Sequence, residues 1–432
     1  MSHGLLSKLR TDLNPSTIRG NLVRSALSSV LIKALSGGLA FLASLLYARV
    51  LGPELYGAYA YVMAWVAVLT VLAGLGVPKY LVKLCSQSPG SHVRLLHWGD
   101  RWMATGGLVA AALLATLALL ASSPASRLLL LLAAAIPLLS NLGLVRQSLL
   151  QANGFVARSQ WAQRLLAPVL VLLAMLAIWL AFGQFSPVAL LAATLSASAL
   201  ALLVNQVQWR RVARRMRSRE ECEPKLRDAL HFVWLGAMYL ILNRTDILML
   251  GALSGTEAAG IYAVSVRAAE AVLIVGMAAN MAAAPRFARF HSEGNLAAVE
   301  RLLRAMAWRV LLLTVPLAGV LVLFAEQILG FLYGSAYAEG ATVLRILGLA
   351  QLFVVAGGSL GTVLNMTGHE RAHMRAVSLA VAVNVVMNAL LIPHFGAEGA
   401  AVATCCSVIV CRLVMQYQVR RRLGFRSPVF GI

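Results

Sequence analysis

Four ionisable residues sit in two neighbouring apolar stretches of this chain. Arg244 and Asp246 fall within Asn243-Arg244-Thr245-Asp246, and Arg267 and Glu270 lie three residues apart. An ionisable side chain deep in a bilayer costs about 3 kcal/mol or more, so each needs a partner or a water-filled path. Arginine's planar fork matches the oxygens of a phosphate or carboxylate, whereas a carboxylate suits a proton or small cation. Arg267 and Glu270 share a helix face. Arg244 and Asp246, two apart, point different ways, so the pattern favours pairing across the two helices. Two readings follow. One is a neutral ion-pair cluster that locks the helices together. The other is a polar wall in which Arg244 and Arg267 bind an anionic substrate while Asp246 and Glu270 take the coupling ion. Lys33 and Arg49 are further candidate substrate contacts, with snorkelling to the interface as their plainer reading. No H-E-x-x-H set and no Gly-rich phosphate loop occurs, and the five cysteines form no CxxC pair. Catalytic residues, a bound metal and an organic cofactor are therefore not expected, H+ or Na+ being the candidate coupling ions.

The elements that must carry these residues follow from composition. Of 432 residues, 60% are apolar and only 12% charged, whereas a soluble domain carries about 25% charged residues. Twelve spans of about 20 residues would absorb nearly all the apolar residues. The expected fold class is an all-α integral membrane protein. Turn chemistry such as Leu51-Gly52-Pro53-Glu54 and Phe185-Ser186-Pro187 separates spans near 25–48, 56–78, 98–121, 127–150, 161–182, 187–208, 229–251, 259–284, 307–330, 342–366, 374–395 and 397–417. On this register Arg244 and Asp246 lie roughly 8–11 Å, and Arg267 and Glu270 roughly 12–17 Å, below the outer ends of spans 7 and 8. The two sets overlap in depth.

The net charge of +21 reads as topology. Most basic residues fall in the N-terminal segment, in the loops after the even-numbered spans and at the C-terminus, the densest run being Arg210 to Arg219. The positive-inside rule then places both termini in the cytoplasm. Trp98, Trp102, Trp161, Trp209, Trp234 and Trp308 fall on the same side, as an interfacial belt would. The expected partner of the basic loops is anionic membrane lipid, and nucleic acid is not expected.

A repeat organises the spans. Gly52-Pro53-Glu54-Leu55-Tyr56-Gly57-Ala58-Tyr59-Ala60 recurs as Gly255-Thr256-Glu257-Ala258-Ala259-Gly260-Ile261-Tyr262-Ala263, an offset of 203. Pro78-Lys79-Tyr80 is echoed by Pro285-Arg286-Phe287, and the turn at Gly154 by that at Gly368. The chain is thus expected to form two parallel six-helix lobes, 1–208 and 229–432, joined by a basic cytoplasmic linker, 209–228. The first-lobe counterparts of Arg244, Asp246, Arg267 and Glu270 are Phe41, Ala43, Ala64 and Ala67. A feature that only maintained the fold would be expected in both copies, which leans the cluster toward function. Pro137, Pro168 and Pro316 lie inside spans and are candidate kinks.

Ala48-Arg49-Val50-Leu51-Gly52-Pro53-Glu54-Leu55-Tyr56-Gly57 resembles the ARxLGPxxYG signature of bacterial polysaccharide flippases. Their superfamily also holds multidrug/toxin-extrusion antiporters and the lipid II flippase. Asn243-Arg244-Thr245-Asp246, Leu332-Tyr333-Gly334, Leu364-Asn365-Met366-Thr367-Gly368 and the run from Ile392 to Ala401 are similar to the family too. The resemblance implies a V-shaped, alternating-access bundle of about twelve helices in the bacterial inner membrane. It implies transport of undecaprenyl-pyrophosphate-linked oligosaccharide for surface polysaccharide synthesis, with roles for Arg49, Arg244 and Asp246. Polysaccharide polymerase and glycosyltransferases would act in the same pathway. The lipid II flippases have two further helices, for which this chain has no room. The alternatives are a multidrug cation antiporter of the same fold, which would favour unpaired carboxylates and aromatic walls, and a membrane polysaccharide polymerase, which would carry a long outer loop.

Overall fold

The computed structural model describes residues 18–424 apart from 89–90, 122, 184, 215–221 and 231. The basic N-terminal segment and part of the arginine-rich linker, including Arg215, Arg217 and Arg219, lie outside the described residues. Those described form helices and turns, with no strand among them.

The first helix, α1 (Ile18–Ala73), runs 56 residues, far more than the roughly 20 that one crossing requires. It is two passes joined at Gly52, whose φ of 74° and ψ of 172° depart from helical geometry. Glycine reaches positive φ without steric cost, and Pro53 then opens the next helix where its missing N–H is not needed. The turn expected over 49–57 is thus a kink at one residue. The expected break at 395–398 is likewise a kink at Gly396 (φ 51°), inside the last helix.

After α1 come α2 (Val77–Gln87), α3 (His92–Leu120), α4 (Pro124–Ala133), α5 (Ala135–Ala152) and α6 (Val156–Trp161). A π-helical turn at Ala162–Leu166 leads into α7 (Ala167–Phe182), followed by α8 (Pro187–Ala213) and the short α9 (Leu226–Leu230). Pro137 and Pro168 explain two irregularities, because a proline ring clashes with the carbonyl four residues earlier. Those positions are Ala133, where α4 ends, and Arg164, inside the π turn. Pro316 stays within an unbroken helix, α13.

The remaining helices are α10 (Val233–Leu253), α11 (Thr256–Glu270), α12 (Leu273–Ser292), α13 (Leu296–Leu323), α14 (Ala325–Tyr333), α15 (Ala341–Ala356), α16 (Leu360–Met366) and α17 (Glu370–Leu423). Among the described residues, eight helical stretches are long and apolar enough to cross a membrane, α17 and the apolar part of α1 among them. Both of those are double passes. With α10 as the seventh pass and α11–α12 as the eighth, the described helices make twelve crossings.

Two compact units emerge. The first comprises residues 1–43 and 65–233 and packs Tyr80, Leu95, Met103, Val145, Leu149 and Trp209 into one core. Trp209 was expected in the interfacial belt but is 2% exposed and meets His92 edge-on; Trp161, Trp234 and Trp308 remain exposed. Small residues allow close helix approach, as membrane bundles require. A Cβ on Gly106 would run into the Ala73 carbonyl. Arg146 in this unit bonds Asp100, Gln206 Oε1 (2.7 Å) and the Leu142 carbonyl (3.0 Å).

The second unit comprises residues 44–64 and 234–432. Its core gathers Phe287, Leu303, Leu360, Val377, Met415 and Val419. Both copies of the nine-residue repeat belong to this unit, and they share backbone geometry. Gly52 has φ, ψ of 74°, 172° and Gly255 has 90°, 171°. The copies also pack against one another. A Cβ on Gly57 would strike the Thr256 carbonyl, and one on Gly260 the Pro53 carbonyl. The conserved spacing within the repeat thus serves a glycine-to-glycine helix contact.

Candidate functional site

Asp246, on α10, is 5% exposed and has no cation within ion-pair distance among the described residues. Its Oδ2 accepts from the Tyr262 hydroxyl and the Thr404 hydroxyl, both at 2.7 Å. Its Oδ1 accepts from the side-chain amides of Asn388 at 2.6 Å and Asn384 at 2.9 Å. Burying a lone carboxylate costs several kcal/mol, and each hydrogen bond to a charged group returns about 1.5–3 kcal/mol. Four such bonds offset the burial without any arginine. The expected cross-helix ion pairing of Asp246 is therefore replaced by a neutral donor shell.

The shell is assembled from three elements. Tyr262 comes from α11 in the second copy of the repeat. Asn384 and Asn388 lie one turn apart on α17 before its kink, and Thr404 lies after it. The Gly396 kink folds α17 back so that residues twenty apart reach one carboxylate. Asn384 and Asn388 are fully buried, and Asn388 Nδ2 also bonds Asn384 Oδ1 at 3.1 Å. The carbonyl oxygen of Asn388 is left without a partner. The amides present their N–H groups to Asp246; turned over, their oxygens would join the carboxylate and hydroxyl oxygens as the donor class that hard cations take.

Arg267 and Glu270 form an ion pair along their own helix, Nη1 to Oε2 at 3.1 Å, with both side chains over one-third exposed. Glu270 is thereby engaged by Arg267 and is not among the four groups bonded to Asp246. Arg244 has a buried Nε without a hydrogen-bond partner and lies within electrostatic reach of Arg267, Glu270 and Tyr56. Its guanidinium therefore keeps donor capacity for an anion.

Arg49 donates from Nη1 to the Phe331 carbonyl at 3.2 Å. Beside it, Tyr337 donates to the Ala48 carbonyl at 3.0 Å, and its ring lies 6.1 Å from that of Tyr333. Arg49 is thus anchored to the aromatic segment around Tyr333, with its side chain still exposed. Lys33 is exposed and belongs to the first unit.

The sequence reading missed Tyr262, Asn384, Asn388 and Thr404. A signal was present: two asparagines four apart in an otherwise apolar span form one polar face, which is costly unless used.

These features define a class, the all-helical transporter fold. A multidrug resistance MATE family transporter of the MOP superfamily in its inward-facing conformation matches with a TM-score of 0.71 at 16% identity, covering 90% of this chain and 94% of that one. The lipid II flippase MurJ matches at 0.67 and 14% identity, covering 91% and 87%. The chain belongs to the polysaccharide biosynthesis protein family, whose model matches residues 22–291, well over half of it. The MatE family model matches residues 236–390. Among curated relatives, a probable low-salt glycan biosynthesis flippase of Haloferax volcanii is 27% identical over 169 residues, 38% of this chain and 35% of that protein. A capsular polysaccharide biosynthesis protein of Staphylococcus aureus is 24% identical over 137 residues, 32% and 35%. The chain thus spans about a third of the length of these curated relatives.

Proposed function

We propose that this protein moves a lipid-linked oligosaccharide across the bacterial inner membrane for surface polysaccharide synthesis, driven by H+ or Na+. The observation that carries the reading is the separation of charge within the second unit. Asp246 is fully satisfied by neutral donors, so Arg244 is not needed to balance it and its donors stay free for a phosphate of the substrate. Arg267 and the anchored Arg49 supply further positive charge for the same anion, and Arg244's planar fork is the geometry a diphosphate ester requires. Lys33, in the first unit, is proposed as a separate substrate contact.

Asp246 with Asn384, Asn388, Thr404 and Tyr262 would bind the coupling cation. An incoming cation would turn the amide oxygens inward and take over the role of the donors that now hold the carboxylate. Glu270 would act through its pair with Arg267, releasing that arginine when it is protonated. Both termini would face the cytoplasm, where the basic loops meet anionic lipid. Polymerase and glycosyltransferases of the same pathway would supply and consume the cargo.

Deleting the gene should leave lipid-linked oligosaccharide on the cytoplasmic leaflet and remove surface polysaccharide. The MatE match favours one competing reading, a multidrug cation antiporter. Normal polysaccharide with new sensitivity to organic cations in the deletion strain would establish that reading in place of the first.

A further inference from the structure

A cavity of about 430 Å3 lies inside the second unit, and none of Arg49, Arg244, Asp246, Arg267 or Glu270 lines it. Its position follows from the helices. Tyr239, in its wall, precedes Arg244 by five residues on α10, about 7.5 Å toward the end that carries the basic loops. The tenth pass is broken beside it: α15 stops at Ala356, α16 starts at Leu360, and Gly358 between them has φ of +68°. Irregular backbone at membrane depth persists only where it is enclosed by protein or lines a water-filled cavity.

Arg412 enters this cavity from the last pass. Its Nη1 donates to the Gly358 carbonyl at 3.5 Å, a long contact that leaves most of its five donors unused. No carboxylate lines the cavity, and Arg412 makes no ion pair among the described residues. The neighbouring His373 does not add charge. Its Nδ1 donates to Asn365 Oδ1 at 2.8 Å, and its Nε2 lies 3.0 Å from the Tyr239 hydroxyl, so the ring needs no second proton to satisfy its bonds. Ser359 donates to Asn280 Oδ1, which leaves the Asn280 amide N–H groups available. The wall therefore offers a single positive charge ringed by amides and hydroxyls, with Met277 and Val310 as an apolar floor.

We propose that this cavity is a sugar subsite selective for a monoanion, in which Arg412 grips the carboxylate of an acidic sugar residue of the translocated glycan. The inference rests on the flippase reading above. One arginine balances one carboxylate, whereas a diphosphate with two negative charges would call for a second cation that the cavity lacks. The amides and hydroxyls suit the sugar's own hydroxyls, and the volume is at the small end for binding pockets.

The test uses the full chain in lipid nanodiscs, titrated with methyl galacturonoside, a monoanion, with uncharged methyl galactoside and with inorganic pyrophosphate, and read by native mass spectrometry. Methyl galacturonoside should bind, methyl galactoside should bind at least about tenfold more weakly, and Arg412→Gln should lose that preference, a change of about 1.4 kcal/mol. Arg412→Lys, which keeps the charge, should retain part of it and guards against a misfolded Arg412→Gln. No binding of methyl galacturonoside, equal binding of methyl galactoside, tighter binding of pyrophosphate or an unchanged preference in Arg412→Gln would each overturn the subsite. None of those results touches the deletion phenotype, so the subsite and the flippase reading fail separately.

Discussion

Asp246 accepts four hydrogen bonds at 2.6–2.9 Å from neutral groups, and this makes its substitutions informative. Asp246→Asn turns an N–H2 toward inward-pointing donors and should destabilise the fold by about 1–3 kcal/mol. It should also uncouple transport from an imposed Na+ or pH gradient, which thermal unfolding and a flipping assay in proteoliposomes would read separately. Asn388→Asp places a second carboxylate in the ring. Binding stabilises the folded state by mass action, so the rise in melting temperature on adding the coupling cation should be larger in this variant than in the parent. A smaller rise would remove Asn388 from the cation site. A titration effect is expected at the basic end. Burial, with Arg422 and His291 nearby, holds the His369 imidazole below its usual range. The unfolded chain therefore binds that proton more readily, so this stability is present above about pH 6.5 and declines as pH falls through the unfolded value. His369→Gln should flatten the melting temperature between pH 7 and pH 5.

Among the elements, the repeat has the sharpest consequence. Gly57 and Gly260 touch the opposing backbone, so an added methyl group at either must push two helices apart. Gly57→Ala or Gly260→Ala should cost about 1–3 kcal/mol. Gly319→Ala provides the control, because a Cβ there meets open space and alanine favours a helix by about 1 kcal/mol. Equal melting temperatures for Gly260→Ala and Gly319→Ala would contradict the contact. The repeat itself was legible, since glycine spacing is a one-dimensional pattern. That the copies face each other was not, because spacing does not say which surfaces meet. The kinks show the same division. Gly52 and Pro53 marked a turn, but whether the helix stopped for nine residues or bent at one depends on backbone hydrogen bonds.

For the molecule as a whole, charge placement predicts orientation. In a cysteine-free background, a cysteine at Ser254 should react with an impermeant thiol reagent added outside intact cells. One at Glu293 should react only after permeabilisation. The opposite pattern would invert the topology and, with it, the direction in which the coupling cation drives transport. The division into units also bears on the anion contacts. Residues 44–64, with Arg49, belong to the second unit, which brings Arg49 into the same body as Arg244 and Arg267.

By itself the sequence determined the class of this protein: an apolar helical bundle of twelve passes, a recurring nine-residue motif, and a few ionisable residues within spans. Those properties are carried by composition and period, which each segment holds alone. The pairing of those residues was decided only in three dimensions. Asp246 turned to two asparagines, a threonine and a tyrosine because the Gly396 kink and the α10–α11 turn bring them to it, while Arg267 found Glu270 on its own helix. The sum of charges, two positive and two negative, was compatible with either arrangement. A buried charge is stabilised by whichever donors the packed helices deliver, and that delivery is a property of the tertiary structure.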